Sequence, residues 1–372
     1  MLKVLEIVGT LHMGGVEKLV LNISKYINRE KFKIEILLTM DYAGELLDPI
    51  RRLGVPVHYV GNYWRSPLRF LYGLLAFLKA NRYDVVHSHL NYWSGILMLV
   101  AYVLGARKRI SHFHNTFDEK RRIWPFSFLY PIFRVLVVLF STDIIGVSDA
   151  ALYSVFGQNW QKNRKTLRIY NGIDLGQFGE RMEISGVKLE LGIPESVPVL
   201  GHVGRFRDQK NQAFLVEIAK ILRERNKEFV FVLVGDGPTM PRIREEVSRN
   251  NLGKYFIFLG AREDVPRCMR AMDVFVFPSL WEGFGLVVIE AQAAGVPIVA
   301  SDAIPAELPL IAPSLRLPLE KPDQWADVIW KMTDKLGKGR EGGNNKIPEI
   351  HRELNEFSIQ RWISRLELIY QS

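Results

Sequence analysis

The sequence predicts an α/β protein made of two doubly wound domains, each built around a parallel sheet. At 372 residues the chain is longer than a single hydrophobic core usually covers, which favours about two domains. Short β-branched runs alternate with amphipathic helical patterns through both halves, and this alternation is typical of parallel sheets covered on both faces. The cycle restarts near residues 160–172, where the pair Asn171-Gly172 marks a turn.

The first predicted domain covers residues 1–163 and is completed by a C-terminal helix at residues 357–372. It begins with a buried strand at residues 3–8, an apolar run that Gly9 ends. A glycine turn then opens an amphipathic helix. Further strands are predicted at residues 32–39, 57–60, 85–88, 109–112 and 143–147, with helices at residues 45–53 and 68–80.

The second predicted domain covers residues 164–356 and repeats the alternation. It has strands at residues 199–203, 229–234, 256–259, 274–277 and 297–300, and helices at residues 212–225, 241–250, 265–271 and 286–294. Residues 337–346 are glycine-rich and polar, which predicts a flexible surface loop. Ligands of doubly wound sheets bind beyond the carboxyl ends of the strands, so two such domains facing a central cleft predict a small-molecule site.

Composition and charge narrow the class of protein. Hydrophobic residues make up 48% of the chain and charged residues 24%, as in ordinary soluble proteins. The net charge of +9 favours anionic partners, but the cations are scattered and no nucleic-acid recognition motif accompanies them. The single cysteine, Cys268, has no partner for an intrachain disulfide, and we expect a small buried residue in a cytoplasmic protein.

Neither end of the sequence nor its most apolar segment predicts a targeting or membrane-spanning element. The first residues carry Glu6 within a short apolar stretch and have no small-residue cleavage pattern, so we expect no signal peptide. Residues 124–140 are strongly apolar but hold two prolines and Arg134, and the run is shorter than the roughly 20 residues of a spanning helix. We expect a buried or membrane-facing helix.

Two cations follow a predicted strand in V-G-R-F-R-D-Q-K-N, residues 203–211. Arg205 and Lys210 therefore lie on a loop at the carboxyl end of a strand, where a ligand would bind. A guanidinium and an ammonium could grip a diphosphate, the first as a bidentate fork and the second as a mobile point charge. Two solvated surface cations are an equally good interpretation of this pattern alone.

A glycine turn separates two acids in W-E-G-F-G-L-V-V-I-E, residues 281–290. Gly283 and Gly285 allow close approach of a ligand, and the N–H groups from Gly285 onward would form an anion-binding helix N-terminus. Glu290, about one turn into the helix, could reach vicinal hydroxyls, and Glu282 could bind a second polyol such as a sugar. Taken alone, each acid is better interpreted as an ordinary helix or loop carboxylate.

The N-terminal half offers weaker signals. Gly14 and Gly15 open a helix after the first strand, which suits an anion or a plain turn equally, and neither a dinucleotide nor a P-loop motif is present. Histidines cluster at His89, His112 and His114 without a carboxylate at metal-ligand spacing, so we expect no metal site. His114 follows a predicted strand and could hydrogen-bond a substrate hydroxyl, whereas His112 is expected in the core.

Together these motifs resemble those of the family 4 glycosyltransferases, retaining enzymes of the GT-B fold that use nucleotide sugars. The resemblance covers nearly the whole chain and implies two Rossmann-like domains and a hexosyltransferase activity. It rests on Arg205 and Lys210 in R-x-x-x-x-K, Glu282 and Glu290 around G-F-G-L, G-G-V-E at residues 14–17, Y-N-G-I-D at residues 170–174, V-G-D-G-P at residues 234–238 and F-L-G-A-R-E-D-V at residues 258–265.

The resemblance also implies roles for individual residues. Arg205 and Lys210 would hold the departing diphosphate, so that neither a metal ion nor another cofactor is required. Glu282 would bind hydroxyls of the transferred sugar, Glu290 would bind the ribose, and His114 would lie beside the reacting sugar. The other residues implied in donor binding are Gly15, Gly283, Phe284, Gly285, Leu286, Gly260 and Arg262, with the backbone of residues 260–262 reading the base.

Within the family, the segments L-H-M-G-G-V-E-K-L-V-L-N-I, H-F-H-N-T and S-D-A-I-P-A-E look most like those of bacterial exopolysaccharide and capsule enzymes. That likeness implies a UDP-sugar donor and a polyprenyl-diphosphate-linked saccharide acceptor. It also implies a cytoplasmic protein, peripheral on the inner face of the membrane, where the basic N-terminal domain would meet anionic lipid. A nucleotide-sugar 2-epimerase of the same fold and a catalytically silent sugar-binding partner are the alternatives.

Overall fold

A computed structural model describes residues 1–12, 14–40, 44–63, 65–115, 126–178, 185–337 and 347–372 of the chain. They form two compact units, Met1–Gly172 with Ile359–Ser372, and Ile173–Ser358. The first unit extends to Gly172 rather than to residue 163, because Thr166–Arg168 pairs in parallel with Asp143–Gly146 of the first sheet. A strand expected to open the second domain therefore belongs to the first.

A parallel sheet forms the centre of the first unit. Its strands are β1 (Leu2–Val8), β2 (Phe32–Leu38), β3 (Val57–Tyr59), β4 (Val85–Ser88), β5 (Lys108–Phe113), β6 (Asp143–Gly146) and β7 (Thr166–Arg168). They pair in parallel in the order β3-β2-β1-β4-β5-β6-β7. Every residue of β1 from Val4 to Val8 is buried without alternation, as in a strand covered on both faces.

Helices connect these strands. Their bounds are α1 (Gly15–Tyr26), α2 (Leu47–Arg52), α3 (Pro67–Ala80), α4 (Ser94–Val103), α5 (Phe126–Phe140) and α6 (Asp149–Phe156). The hydroxyl of Ser148 caps α6 by accepting a hydrogen bond from the amide of Ala151 at 3.0 Å. Helix α4 was not predicted, because its sequence S-G-I-L-M-L-V-A-Y-V is apolar on all sides and gives no amphipathic stripe.

The second unit repeats the design. Its strands are β8 (Val199–Val203), β9 (Val230–Val234), β10 (Phe256–Gly260), β11 (Val274–Phe277), β12 (Ile298–Ser301) and β13 (Leu315–Leu317), paired in parallel in the order β10-β9-β8-β11-β12-β13. The three-residue strand β13 was not predicted, since so short a run carries no periodicity. The chain reverses its direction of travel between β8 and β11, so the loops after these two strands diverge and leave room for a ligand.

The helices of the second unit are α7 (Ser185–Glu190), α8 (Gln212–Glu224), α9 (Met240–Arg249), α10 (Val265–Arg270), α11 (Leu286–Ala293), α12 (Pro322–Gly337) and α13 (Ile347–Glu353). Trp325 of α12 is fully buried against Phe214 of α8, with ring centroids 5.2 Å apart, and its indole donates to the carbonyl of Pro318 at 2.9 Å. Of the predicted loop at residues 337–346, Gly337 ends α12 and the rest lies outside the described residues.

The C-terminal helix α14 (Ile359–Gln371) packs within the first unit. The carboxylate of Glu367 accepts a hydrogen bond from the backbone amide of Asn28 at 2.8 Å, just beyond α1. Tyr370 meets Phe32 edge to face, with ring centroids 5.8 Å apart. The last turn of the chain is therefore part of the core around the first sheet.

Candidate active site

The loop after β8 carries the two predicted cations. Arg205 is exposed, and its backbone carbonyl accepts a hydrogen bond from the side-chain amide of Gln212 at 3.2 Å. Lys210 ends a short 3-10 turn, and its ammonium lies 4.7 Å from the centre of the Phe277 ring. A Cβ added at Gly204 would lie 3.4 Å from Lys210 Cδ and Cε, so the glycine lets the lysine stem lie close to the backbone.

Lys210 and Glu282 meet in the structure. Lys210 Nζ donates to Glu282 Oε1 at 2.7 Å, and the two side chains are only 16% and 7% exposed. The side-chain amide of Gln209 donates to Glu282 Oε2 at 3.3 Å and to the backbone carbonyl of Trp281 at 2.9 Å. The backbone carbonyl of Gln209 accepts a hydrogen bond from the backbone amide of Leu280 at 2.8 Å. The loops that follow β8 and β11 are thus tied side by side, although the sequence assigned Lys210 and Glu282 to different parts of a ligand.

The predicted glycine turn opens α11. Gly285 takes the left-handed conformation, with φ +94°, as the N-cap of this helix, which explains the glycine. Leu286 begins the helix, and Glu290 lies partly exposed in its second turn. Phe284 is buried and its ring lies 5.5 Å from that of Phe357, so its side chain packs in the core and leaves only its backbone for a ligand.

Backbone contacts between glycines bring three loops of this edge together. The amide of Gly235 donates to the carbonyl of Gly260 at 2.7 Å, which joins the ends of β9 and β10. Gly235 has φ +134°, and a Cβ at this position would collide with the carbonyl of Gly204 after β8. Gly237 has φ +155° and approaches the backbone of Phe206 in the same way. These glycines allow the loops to pack without side chains between them.

The side chain of Arg262 has carboxylate partners within the second unit. Its guanidinium grips Asp264 in a fork, with bonds of 2.6 and 2.7 Å, and lies 3.6 Å from Glu190. The hydrogen bond from Arg262 lowers the pKa of Asp264 to about 2. Contact with a base at residues 260–262 would therefore come from the backbone. In the neighbouring α10, Cys268 is buried as expected, and burial raises the pKa of its thiol to about 11.

His202 is a buried residue of β8 whose contribution the sequence did not reveal. Its Nδ1 lies 2.9 Å from the carbonyl of Val276, which requires a proton on that nitrogen, and burial lowers its pKa to about 4. The remaining Nε2 lies 3.4 Å from Gln212 Nε2, which also reaches the carbonyl of Arg205. This chain of contacts links β11 to the loop that carries Arg205. A histidine inside the apolar run V-L-G-H-V was the available signal.

In the first unit the predicted residues separate into an exposed and a buried group. Gly15 is exposed at the start of α1, and a Cβ there would meet no described atom within 4 Å. His114 is buried and hydrogen-bonded to His89, with Nε2 and Nδ1 3.0 Å apart. No carboxylate lies near these histidines along the sequence, but the structure places Glu6, 83 residues from His89 in the chain, 2.8 Å from His89 Nε2. His112 is fully buried, as expected.

Comparison with known proteins identifies the type of chain. Residues 13–177 match the model of Glycosyltransferase Family 4, and residues 197–334 match that of Glycosyl transferases group 1. The chain is 30% identical, over 78% of its length and 76% of the relative's, to UDP-Gal:alpha-D-GlcNAc-diphosphoundecaprenol alpha-1,3-galactosyltransferase of Escherichia coli. It is 28% identical to the capsular polysaccharide biosynthesis glycosyltransferase CapH of Staphylococcus aureus, over 100% and 99% of the two chains.

A solved structure shares the fold over nearly the whole length. Anabaena Alr3699/HepE, crystallised in complex with UDP and glucose, superimposes with a TM-score of 0.82 at 20% sequence identity, and the match covers 99% of this chain and 98% of that one. The predicted GT-B fold, with two Rossmann-like domains, is therefore confirmed.

A double-mutant cycle tests the tie between the two loops. Lys210→Met and Glu282→Gln each leave one buried partner unsatisfied, so we expect a coupling free energy of about 1–2 kcal/mol in urea unfolding. The matched control is the exposed pair Lys220 and Glu217, 2.9 Å apart and 33% and 46% exposed, for which coupling below about 0.5 kcal/mol is expected. Equal coupling in the two cycles would contradict the structural role of the buried pair.

Proposed function

The chain belongs to glycosyltransferase family 4, and we propose from this that it transfers a sugar from a UDP-sugar to a lipid-linked saccharide in capsule or exopolysaccharide synthesis, with retention of anomeric configuration. The observation that carries the proposal is the Lys210–Glu282 pair beside the glycine-capped start of α11. The Escherichia coli relative uses UDP-Gal and a diphosphoundecaprenol-linked acceptor, which supports these substrate classes. Retention rests on the resemblance to the family.

The diphosphate of the donor binds at Lys210, Arg205 and the N-terminus of α11. Cleavage of the sugar–phosphate bond develops negative charge on the leaving diphosphate, and fixed positive groups stabilise that charge. Lys210 supplies an ammonium held in place by Glu282, and α11 supplies backbone N–H groups from Gly285 onward. Arg205 is exposed on the same loop, three residues before Asp208, where the short turn begins.

The two acids bind hydroxyl groups rather than attack the sugar. Glu282 already accepts hydrogen bonds from Lys210 and Gln209, which hold its carboxylate in place on the loop where the sugar would lie. Glu290 lies a full turn further along α11 and is partly exposed, which suits the two hydroxyls of a ribose. The base contacts the backbone of residues 260–262, since the Arg262 fork is bonded to Asp264.

Catalysis proceeds without a metal ion. A divalent cation bridging the diphosphate would lie beside the Lys210 ammonium and the positive end of the α11 dipole, and both would repel it. The same two features already neutralise the diphosphate, so the metal would add little.

The lipid-linked acceptor is reached by docking on anionic membrane. None of the described helices is long and apolar enough to cross a bilayer. Exposed apolar side chains lie on α3, α4 and α5 of the first unit: Leu68, Tyr72, Leu75, Tyr102, Val103, Ile132, Val135 and Leu139. Arg65, Arg69 and Arg134 are exposed among them. Exposed apolar groups interleaved with cations fit the headgroup region of an anionic bilayer.

Substitution of Lys210 tests the diphosphate site. Lys210→Ala should lower acceptor-dependent UDP release at least about 100-fold, the loss expected when one electrostatic donor to a leaving group is removed. The matched control is Lys220→Ala, which removes a lysine paired with Glu217 on α8 and should leave turnover unchanged. Near-normal turnover of Lys210→Ala, or formation of an epimeric UDP-sugar without acceptor, would contradict the proposal.

Chelation tests the absence of a metal requirement. Turnover in excess EDTA should equal turnover in added Mg²⁺ or Mn²⁺, because the positive charge at the diphosphate comes from the chain itself. Loss of activity in EDTA that a divalent cation restores would show that the leaving group needs a metal.

Vesicle binding tests the docking surface. Leu68→Ser with Tyr72→Ser removes two side chains that are 82% and 77% exposed on α3, and should weaken cosedimentation with phosphatidylglycerol vesicles several-fold. Leu189→Ser is the matched control, since Leu189 is also 82% exposed but lies on α7 of the second unit. Equal binding by both variants, or no preference for anionic over phosphatidylcholine vesicles, would rule out this surface.

A further inference from the structure

A buried chain of hydrogen bonds runs from Glu6 to His114 within the first unit. Glu6 lies on β1 with no exposed surface. Its Oε2 is 2.8 Å from Nε2 of His89, which directly follows β4. His89 Nδ1 is 3.0 Å from Nε2 of His114, which directly follows β5. The three groups therefore step across the neighbouring strands β1, β4 and β5, from the middle of β1 to the carboxyl ends of β4 and β5.

The carboxylate at the start of this chain can only accept hydrogen bonds. Burial alone would raise the pKa of Glu6, but the charge and hydrogen bonds of His87 and His89 lower it well below its usual range. Tyr370 of α14 adds a bond by donating its hydroxyl proton to Glu6 Oε1 at 2.7 Å. An ionised carboxylate has no proton to give, so the proton between Glu6 and His89 resides on His89 Nε2.

The proton on His89 Nε2 determines where the proton on the next imidazole, His114, must lie. Burial lowers the pKa of His89 to about 4, so the ring is neutral near pH 7 and carries a single proton, on Nε2. Its Nδ1 then carries a lone pair and accepts a hydrogen bond from the Nε2–H of His114. Burial also lowers the pKa of His114 well below its usual value, so His114 is neutral and its Nδ1 is a lone pair. The order of the hydrogen bonds from Glu6 to His114 therefore determines the tautomer of His114.

The chain of hydrogen bonds ends at His114 Nδ1, an acceptor without a donor among the described residues. His114 Nδ1 is buried and has no hydrogen-bond partner among the described residues. The ring is buried and its Nε2 is held by His89 at 3.0 Å, which restricts its rotation. A buried acceptor left unpaired is destabilising, so His114 Nδ1 is open to a donor from a ligand. Nε2 of His112 is unpaired as well, but His112 lies within β5, whereas His114 follows the carboxyl end of that strand, where ligands of such sheets bind.

We propose that Glu6 and His89 are positioning residues that hold His114 as the Nε2–H tautomer, so that His114 Nδ1 accepts a hydrogen bond from a substrate hydroxyl. The assignment of that hydroxyl to a sugar rests on the proposed function, whereas the tautomer does not. An acceptor nitrogen selects a hydroxyl and disfavours a phosphate or carboxylate oxygen, which brings no proton. The site thus recognises a neutral polyol group rather than an anion.

A second branch of the cluster supplies an internal control. His87 Nδ1 lies 2.7 Å from the Tyr370 hydroxyl and 3.1 Å from Glu6 Oε2, and His87 Nε2 lies 3.2 Å from His112 Nδ1. This branch has the same chemistry and burial but no hydrogen bond to His114. Nitrogens of His87, His89 and His112 also lie within 4.8 Å of one another, a spacing at which they could hold a metal ion. Metal binding there would disrupt the proton order described above, and is therefore an outcome that the experiment must register.

Two substitutions of His89 separate positioning from packing. Asn places a carbonyl near the position of the imidazole Nδ1, so His89→Asn keeps an acceptor for the His114 Nε2 proton. Gln places its amide near the position of Nε2, so His89→Gln keeps the contact with Glu6 and removes that acceptor. His112→Asn retains a donor to His87 and serves as the control of equal burial. Circular dichroism and thermal unfolding report whether each variant folds.

The measured quantity is the tautomer of His114. It is obtained by nitrogen NMR of the full-length protein labelled with ¹⁵N in its histidine imidazoles, and the variant His114→Asn identifies the His114 signal. We expect Nε2–H in the parent protein, in His89→Asn and in His112→Asn, and loss of this single tautomer in His89→Gln. Three results would overturn the inference. They are a proton on His114 Nδ1 in the parent protein, the same His114 tautomer in both His89 variants, and shifts of the His87, His89 and His112 signals on titration with Zn²⁺ alone.

Measurement of acceptor-dependent UDP release tests the proposal independently of the NMR experiment. Acceptor-dependent UDP release by His89→Asn should exceed that of His89→Gln by at least about 10-fold, because only the first keeps the acceptor on His114. If UDP release is normal but His114 carries its proton on Nδ1, this inference fails and the proposed function stands. If the tautomers behave as expected but no sugar is transferred, the proposed function fails and the positioning of His114 stands.

Discussion

The site of the second unit depends on one buried ion pair, Lys210 with Glu282. The two residues follow different strands, β8 and β11, which are neighbours in the sheet although far apart in the chain. Their bond fixes an ammonium next to the loop that leads into α11, whose N-cap Gly285 takes the left-handed conformation. In the proposed reaction, an ammonium already held by a carboxylate need not reorganise when the leaving group gains negative charge.

The sheets were largely predictable because buried parallel strands are short apolar runs between turn residues, and periodicity detects those. The helices α4, α6, α7, α12 and α13 and the strand β13 were not predicted. Two of these elements carry no periodic pattern, since α4 is apolar on all sides and β13 is three residues long. The domain boundary was placed too early because Thr166–Arg168 reads as a strand of either sheet, and only pairing with β6 decides between them. Strand pairing is a long-range property that a local pattern does not contain.

In the candidate site, too, the sequence predicts the positions of residues along the chain but not their partners. The positions of Arg205, Lys210, Glu282 and Gly285 followed from their places after strands, but their partners did not. The pairing of Lys210 with Glu282, the burial of Phe284 against Phe357 and the fork between Arg262 and Asp264 arise from tertiary packing. Glu6 is the extreme case, since the partners of this acid in the middle of an apolar strand are His87, His89 and Tyr370, which lie far along the chain.

A crystal structure of the protein with UDP, grown with a divalent cation present, tests the diphosphate site most directly. We expect the β-phosphate within hydrogen-bond distance of Lys210 Nζ and of the backbone amides at the start of α11, with no metal bridging its oxygens and the ribose hydroxyls at Glu290. UDP bound away from Lys210, or bound at Lys210 through a coordinated metal ion, would contradict it.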